Sequence, residues 1–136
     1  MEYKYVKELA DAGSIQNFFE RNHVELPGEF DAFFKKNNGG RPSSNLCVLK
    51  NGEEKVVNNF LSFNENDREN VYKAKRSIEA DDRRLIPFAK DPAGNYYCLL
   101  EGAVVFYTHE DGEITEIADS FQDFTGQLHE RDCLYQ

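Results

Sequence analysis

The chain has no tryptophan, a single methionine and no long apolar run. No segment approaches the ~18 consecutive apolar residues that a membrane-spanning helix needs. The opening stretch, MEYKYVKE, has no apolar core of the kind found in secretory signal peptides. We therefore expect a protein of the cytoplasm that does not associate with membranes.

Cysteine is scarce as well. Cys47, Cys98 and Cys133 lie far apart in the sequence and form no CxxC pair. An odd number of cysteines at this spacing fits neither a disulfide framework nor a zinc site. The pattern indicates reduced thiols.

Positive charge is in deficit, because 16 basic residues face 25 acidic residues and leave a formal net charge of −9. Such a chain repels phosphate groups, which argues against direct binding of nucleic acid. It favours a basic protein surface as partner, since opposite potentials speed the encounter. The alternative is that the acidity serves only solubility.

The sequence offers few residue patterns that could carry chemistry. His109-Glu110-Asp111 falls at a predicted hairpin tip and has no paired ligand spacing, so it is interpreted as a turn. Residues 91–95 lack the alternating oxygen ligands of a calcium loop. His129 and Cys133 would share a helical face if the last helix extended that far, but no third group is placed to orient the histidine. We predict no catalytic residue, no cofactor and no metal.

The stretch of residues 26–42, LPGEFDAFFKKNNGGRP, predicts a short amphipathic helix. Pro27 suits the first helical position, where its missing N–H is not needed. Phe30, Phe33 and Phe34 then recur at the spacing that places three aromatic rings on one face. Residues 37–40, NNGG, tolerate positive φ and end the helix.

Other helices are predicted on both sides of this stretch. A lead-in helix is expected over residues 3–12, and a second one is expected from Ile15 with Ser14 as its cap. A middle helix opens at Asn66 with Glu69 and places Lys75 on its outer face. The final helix is capped by Asp119 or Ser120 and turns Phe121, Phe124 and Leu128 inward.

The remaining apolar runs are short, and turn residues separate them. Asn51-Gly52 is expected to form a two-residue hairpin turn, and residues 91–94, 101–102 and 111–112 predict further turns. The strands predicted between these turns cover residues 46–50, 55–61, 85–89, 96–100, 103–107 and 114–117. We expect one α+β domain over residues 1–136, a twisted and mainly antiparallel sheet with helices packed around it.

Two motifs of this chain resemble the signature of the SUKH superfamily, the SMI1/KNR4-like proteins. The first is Leu26-Pro27 followed by the aromatic face and Asn38-Gly39-Gly40. The second is LIPFAKDPAGNYY at residues 85–97. The resemblance implies the SUKH fold, and it implies a role in binding proteins. The superfamily includes fungal regulators of cell-wall glucan synthesis and bacterial immunity proteins that neutralise toxin domains.

The resemblance and the negative charge together lead to one functional hypothesis. The chain is expected to be a non-catalytic immunity protein that occludes a basic toxin domain, such as a nuclease. The alternative is a regulatory scaffold of the cell-wall type. Acidic residues in or near the turns are the candidate partner-binding residues: Glu65, Asp67, Asp81, Asp82, Asp91, Glu101, Glu110, Asp111 and Glu113. Basic residues nearby, such as Arg84 and Lys90, could instead balance these carboxylates.

Overall fold

The computed structural model describes residues 2–80 and 82–131. Within them the chain forms four helices: α1 (Ser14–Arg21), α2 (Gly28–Asn37), α3 (Val71–Ile78) and α4 (Phe121–Gln127). The short strands of the first half are β1 (Tyr3–Lys4), β2 (Arg41–Pro42), β3 (Leu46–Val48), β4 (Glu54–Val56) and β5 (Asn59–Phe60). The longer strands of the second half are β6 (Ile86–Lys90), β7 (Tyr96–Leu100), β8 (Ala103–Tyr107) and β9 (Ile114–Ala118).

The five strands β5 to β9 form one antiparallel sheet in chain order. Tight turns join its long strands, and each turn has a glycine at positive φ. Glycine suits this conformation because it has no Cβ. β1–β2 and β3–β4 are separate two-stranded ribbons beside it. The predicted α+β architecture with a mainly antiparallel sheet is confirmed.

One face of the sheet carries the main core, which is built on phenylalanine. Phe30 and Phe34 of α2 are fully buried, and Phe33 packs partly buried against them. The Phe30 ring lies 4.8 Å from the Phe121 ring of α4 and 5.8 Å from Phe88 of β6. The predicted aromatic face of α2 is therefore the contact between this helix, the sheet and α4.

The opposite face of the sheet carries a smaller cluster. It contains Cys98 of β7 and Val105 and Tyr107 of β8, whose side chains point away from the main core because successive residues of a strand face opposite sides. These side chains pack with Ile78, at the end of α3, and with Leu85, just before β6. Both faces of the central strands are thus covered by protein.

The prediction that Lys75 lies on the outer face of α3 is wrong. The residue is only 5% exposed, and its Nζ donates hydrogen bonds to the backbone oxygens of Arg83 (2.6 Å) and Leu85 (2.7 Å). Burial lowers the pKa of this amine. The two carbonyl acceptors explain why a lysine occupies an inward position of α3.

The N-terminal segment also departs from the prediction. Residues 3–12 form no helix, since Tyr3 and Lys4 pair as β1 with β2 instead. The Asn64 side chain then holds the following loop, accepting from the N–H of Ala10 and donating to the oxygen of Glu8. Tertiary contacts replace the helical hydrogen bonds here.

Helix starts differ from the prediction by one to four residues. α1 begins at Ser14 itself after Gly13, and α2 begins at Gly28 with Pro27 as its N-cap. Asn70, rather than Asn66, caps α3 by accepting from the N–H of Lys73. Of the two residues predicted to cap α4, Asp119 and Ser120, the N-cap is Ser120, whose hydroxyl accepts from the N–H of Asp123.

The predicted strand over residues 55–61 is two strands with different partners. β4 pairs with β3, whereas β5 pairs with β6. β3 and β4 are joined by residues 49–53, and the N–H of Leu49 donates to the oxygen of Glu53, so the turn between this pair spans residues 50–52 and not the predicted two. Gly52, at φ 92°, closes this longer loop.

The end of α2 ties three segments together. Gly39 adopts φ 69°, as predicted, and the buried Asn38 side chain reaches across to its neighbours. Its Nδ2 donates to the oxygen of Lys7 and to Ser62 Oγ (3.0 Å each), and its Oδ1 accepts from the N–H of Phe63 (2.8 Å). Asn38 thus holds the end of α2 against the N-terminal segment and the loop after β5.

Gly39→Val is expected to lower the free energy of unfolding more than Gly52→Val does. Both glycines adopt positive φ, a conformation that costs a residue with a Cβ about 1–2 kcal/mol. A Cβ at Gly39 would in addition lie 3.0 Å from Lys7 Cγ, whereas at Gly52 it meets nothing within 4 Å. Urea unfolding of both variants measures the difference. Equal losses, or a Gly39→Val variant that keeps its stability yet loses its partner, would contradict the structural role.

Candidate protein-binding surface

The turns of the antiparallel meander alternate between the two ends of the sheet. One end carries residues 91–95 and 108–113, and the other end carries residues 82–85 and 101–102. The acidic candidates are therefore divided between opposite ends, with Glu65 and Asp67 in the loop before α3. Asp81 lies outside the described residues.

Asp91 organises the turn between β6 and β7. Its Oδ1 accepts from the N–H groups of Ala93 (3.0 Å) and Asn95 (2.8 Å), and its Oδ2 accepts from Asn95 Nδ2 (3.1 Å). The residue is only 6% exposed. Its carboxylate serves the turn, which leaves little of it for a partner.

The neighbouring β8–β9 turn presents three exposed carboxylates, Glu110, Asp111 and Glu113, which we call the acidic tip. Asn95 Oδ1 accepts from the N–H of His109 (3.1 Å), so the two turns are joined at this end. Asp111 Oδ1 accepts from the N–H of Glu113 (2.9 Å) and shapes the turn. His109-Glu110-Asp111 therefore belongs to a turn, as interpreted from the sequence.

The charge of the acidic tip is not balanced locally. Over residues 2–80 and 82–131, no Lys, Arg or His nitrogen lies within 4.0 Å of a tip carboxylate. Ile114 follows the tip directly and is itself 39% exposed. The tip thus combines negative charge with an adjacent apolar side chain.

At the opposite end Arg84 binds both acidic candidates. Its guanidinium lies 2.9 Å from Asp82 Oδ2 and 2.8 Å from Glu101 Oε1. The hydrogen bonds from Arg84 lower the pKa of Asp82, and those to both carboxylates raise the pKa of Arg84. These two carboxylates are balanced by a cation, unlike those of the tip.

The two candidates before α3 have different surroundings. Asp67 Oδ2 accepts from Ser62 Oγ (2.6 Å) and Asn64 Nδ2 (3.0 Å), so it serves its loop. Glu65 is exposed and lies with Asp11 around a shallow groove beside α1. Sequence reasoning did not connect Glu65 with Asp11, since no local pattern links segments so far apart.

Glu116 and Asp119 form another acidic pair that is not among the candidate residues. Lys50, in the β3–β4 loop, lies 2.7 Å from Asp119 Oδ1 and 3.7 Å from Glu116 Oε2. The hydrogen bond with Asp119 raises the pKa of Lys50 and lowers that of Asp119. The N–H of Lys50 also donates to the oxygen of Glu116, which fastens the loop to the edge of the sheet at β9.

The described cysteines sit in surroundings that disfavour nucleophilic thiolates. Both Cys47 and Cys98 are fully buried. Burial raises the pKa of Cys47 to about 11 and also raises the pKa of Cys98. Neither thiol is suited to attack a substrate.

His129 does not lie on the final helix, contrary to the condition under which it would share a face with Cys133. α4 ends at Gln127, and the backbone of His129 pairs with that of Leu46 in a β-bridge. His129 Nε2 lies 3.8 Å from Glu54 Oε2. Cys133 lies outside the described residues.

Residues 2–80 and 82–131 contain neither a cluster of metal ligands nor a membrane-spanning helix. No group of three or more His, Cys, Asp or Glu side chains in this part of the chain could hold a metal ion. No helix there is long and apolar enough to cross a membrane.

Comparison with known proteins identifies relatives by family and by fold. The model of the SMI1 / KNR4 family (SUKH-1) matches residues 9–127, which confirms the resemblance seen in the sequence. No curated protein matches the chain. A crystal structure of a protein from Pseudomonas syringae pv. tomato aligns with a TM-score of 0.51 at 17% identity, covering 80% of this chain and 75% of that one. At this identity the alignment supports the fold alone.

The stability cost of Cys47→Ala is expected to shrink as the pH rises from about 9 toward about 11. Burial raises the pKa of Cys47 from 9.0 to about 11 in the folded state. The neutral thiol therefore contributes fully to the free energy of unfolding below pH 9, and this contribution is lost as the pH rises through about 11. Urea unfolding of wild type and variant across this range measures the difference. Leu46→Ala, a buried neighbour that does not titrate, is the control and should show a constant difference. A constant difference for Cys47→Ala would contradict the burial of its thiol.

Proposed function

Because the chain belongs to the SMI1 / KNR4 family (SUKH-1), we propose that it is a non-catalytic immunity protein that binds and neutralises a basic toxin domain. This family covers immunity proteins and regulators. The observation that carries the proposal is the acidic tip, whose three carboxylates are exposed and have no cation within 4.0 Å among the described residues. The net charge of −9 supports the same choice of partner.

The proposed mechanism is electrostatic and steric. A nuclease holds nucleic acid with lysine and arginine side chains, and the tip carboxylates would occupy those groups in its place. Opposite potentials would also speed the encounter of the two proteins. The toxin would then be blocked without any bond being broken.

An apolar contact is expected to add affinity beside the charges. Tyr5 is an exposed aromatic residue, but it belongs to another surface. Beside the tip this role falls to Ile114, which is 39% exposed. Apolar anchors near the centre of an interface contribute much of its binding energy.

The acidic tip is a better candidate than Asp67, Asp82, Asp91 and Glu101, because its carboxylates have no ion pair to give up and only Asp111 accepts a hydrogen bond that shapes its turn. Asp82 and Glu101 would first have to exchange Arg84 for a partner's cation. Asp67 and Asp91 would have to release hydrogen bonds that hold their loops. Such exchanges reduce the net gain from a new ion pair.

We place this activity in the cytoplasm. The unpaired, buried thiols of Cys47 and Cys98 support a reducing compartment.

The partner can be identified by affinity capture of the tagged protein from its native cells. The captured material is washed at about 0.1 M salt, where the Debye length is about 10 Å, or at about 1 M salt, where it is about 3 Å. Recovery of one basic toxin domain that is lost at high salt is expected. Recovery of cell-wall synthesis proteins instead would favour the regulatory scaffold and overturn the immunity proposal.

Removing the charge of the acidic tip should slow association with that partner. The triple variant Glu110→Gln, Asp111→Asn, Glu113→Gln is expected to lower the association rate about tenfold at low salt and to flatten its salt dependence. Asn at position 111 keeps the oxygen that accepts from the N–H of residue 113. Stopped-flow mixing at several salt concentrations measures both effects.

A control variant removes the same charge elsewhere. Glu25→Gln, Glu29→Gln, Glu79→Gln changes three exposed carboxylates that have no ion pair among the described residues. Its rate should stay within about twofold of wild type, because screened charges away from the interface act weakly. Equal slowing by both variants would show that net charge, and not the tip, drives association.

A further inference from the structure

A second charged surface lies where the N-terminal segment crosses the end of α2. Residues 5–7, residues 39–41, β5 and the loop of residues 61–69 line a groove of about 520 Å³. Unlike the acidic tip, this groove is lined by three exposed cations, Lys7, Arg41 and Arg68.

The cations of the groove have no carboxylate partner. Within the part of the chain that the structure describes, no carboxylate oxygen lies within 4.0 Å of any of them. Two carboxylates also line the groove, but both are engaged. Asp67 accepts two side-chain hydrogen bonds from its own loop. Glu69 Oε2 is buried and accepts no hydrogen bond from the described residues, but it forms an ion pair with Lys90 Nζ at 3.2 Å.

Tyr5 orients one of these cations. The guanidinium carbon of Arg41 lies 5.5 Å from the centroid of the Tyr5 ring, which is a cation–π contact. Such stacking restrains the guanidinium while leaving its in-plane N–H donors available. Tyr5 is 69% exposed, so the pair faces solvent.

The backbone around Tyr5 is held on both sides. Tyr5 adopts φ 60°, a conformation that costs a non-glycine residue energy and persists only when its surroundings enforce it. β1 pairs with β2 before it, and after it the N–H of Lys7 donates to the oxygen of Asn38 (2.7 Å). The Tyr5–Arg41 pair is therefore built into the fold.

We propose that this groove binds an acidic peptide segment of a protein partner. Arg41 and Arg68 each offer a planar fork that matches a carboxylate with two parallel hydrogen bonds, and Lys7 adds a third charge. Nucleic acid is a poorer occupant, because its continuous run of phosphates would meet Asp67 and Glu69 as well as the three cations, whereas an acidic segment can place single carboxylates at the cations. The site is independent of the toxin proposal and gives the domain two surfaces of opposite charge.

A capped hexaglutamate peptide, with a capped hexaglutamine peptide as its uncharged control, provides the first test. Titration at low salt, followed by NMR of backbone amides, should shift signals of residues 5–7, 39–41 and 66–69 for the glutamate peptide only. Shifts centred elsewhere would overturn the proposal. Inorganic phosphate is titrated in parallel, and tighter binding of phosphate than of the glutamate peptide would overturn the assignment to carboxylates.

Variants of the groove make the test specific. Arg41→Gln with Arg68→Gln should weaken peptide binding at least about tenfold, since charge-assisted bidentate hydrogen bonds are lost. The matched control, Lys36→Gln with Arg76→Gln, removes the same charge from exposed positions outside the groove and should leave affinity within about twofold. Equal weakening by both pairs would overturn the site.

Arg41→Lys separates geometry from charge. It keeps the positive charge but loses the planar fork and its stacking on Tyr5, so binding should weaken several-fold while thermal stability stays unchanged. Wild-type affinity in Arg41→Lys would show that the groove attracts anions through charge alone, and the proposed recognition of peptide carboxylates would be wrong.

Discussion

The fold depends on the burial of one aromatic side chain, Phe30 of α2. Its ring centroid lies 5.2 Å from Phe19 of α1, 4.5 Å from Phe34, 5.8 Å from Phe88 of β6 and 4.8 Å from Phe121 of α4. Aromatic pairs in such edge-to-face and stacked arrangements contribute about 0.5–1.5 kcal/mol each beyond the burial of their surface. Three helices and the sheet therefore meet at one ring, and the position of α2 fixes that of the other layers. The turn at residues 38–40 matters for the same reason, because it sets where α2 ends.

Much of this architecture was predictable, because local patterns and tertiary packing agree along α2 and the second half of the chain. β7 and β8 have the predicted bounds, since apolar runs there are closed by turns that need glycine at positive φ. The predictions were wrong where long-range contacts decide the local structure. Residues 3–12 follow β2 and Asn64 instead of their own helical pattern, and β4 and β5 divide one apolar run between two partners.

Charge was harder to predict than fold, since ion pairs join residues from different turns. The sequence gives no sign that Arg84 binds Asp82 and Glu101 together, or that Lys50 reaches Asp119. Lys75 illustrates the same limit, because its two carbonyl acceptors come from the loop after α3. Apart from such pairs, exposed carboxylates cluster at the acidic tip and exposed cations cluster at the groove beside β1.

Hydrogen exchange of the protein alone and in complex with its captured partner tests the central claim, that binding occurs at the acidic tip of a fold that stays unchanged. The account predicts that the partner slows exchange of amides in residues 108–114 and leaves the amides of α2 and of β6 as they are in the free protein. Protection confined to the opposite end, around Arg84 and residues 101–102, with no change at the tip would contradict it.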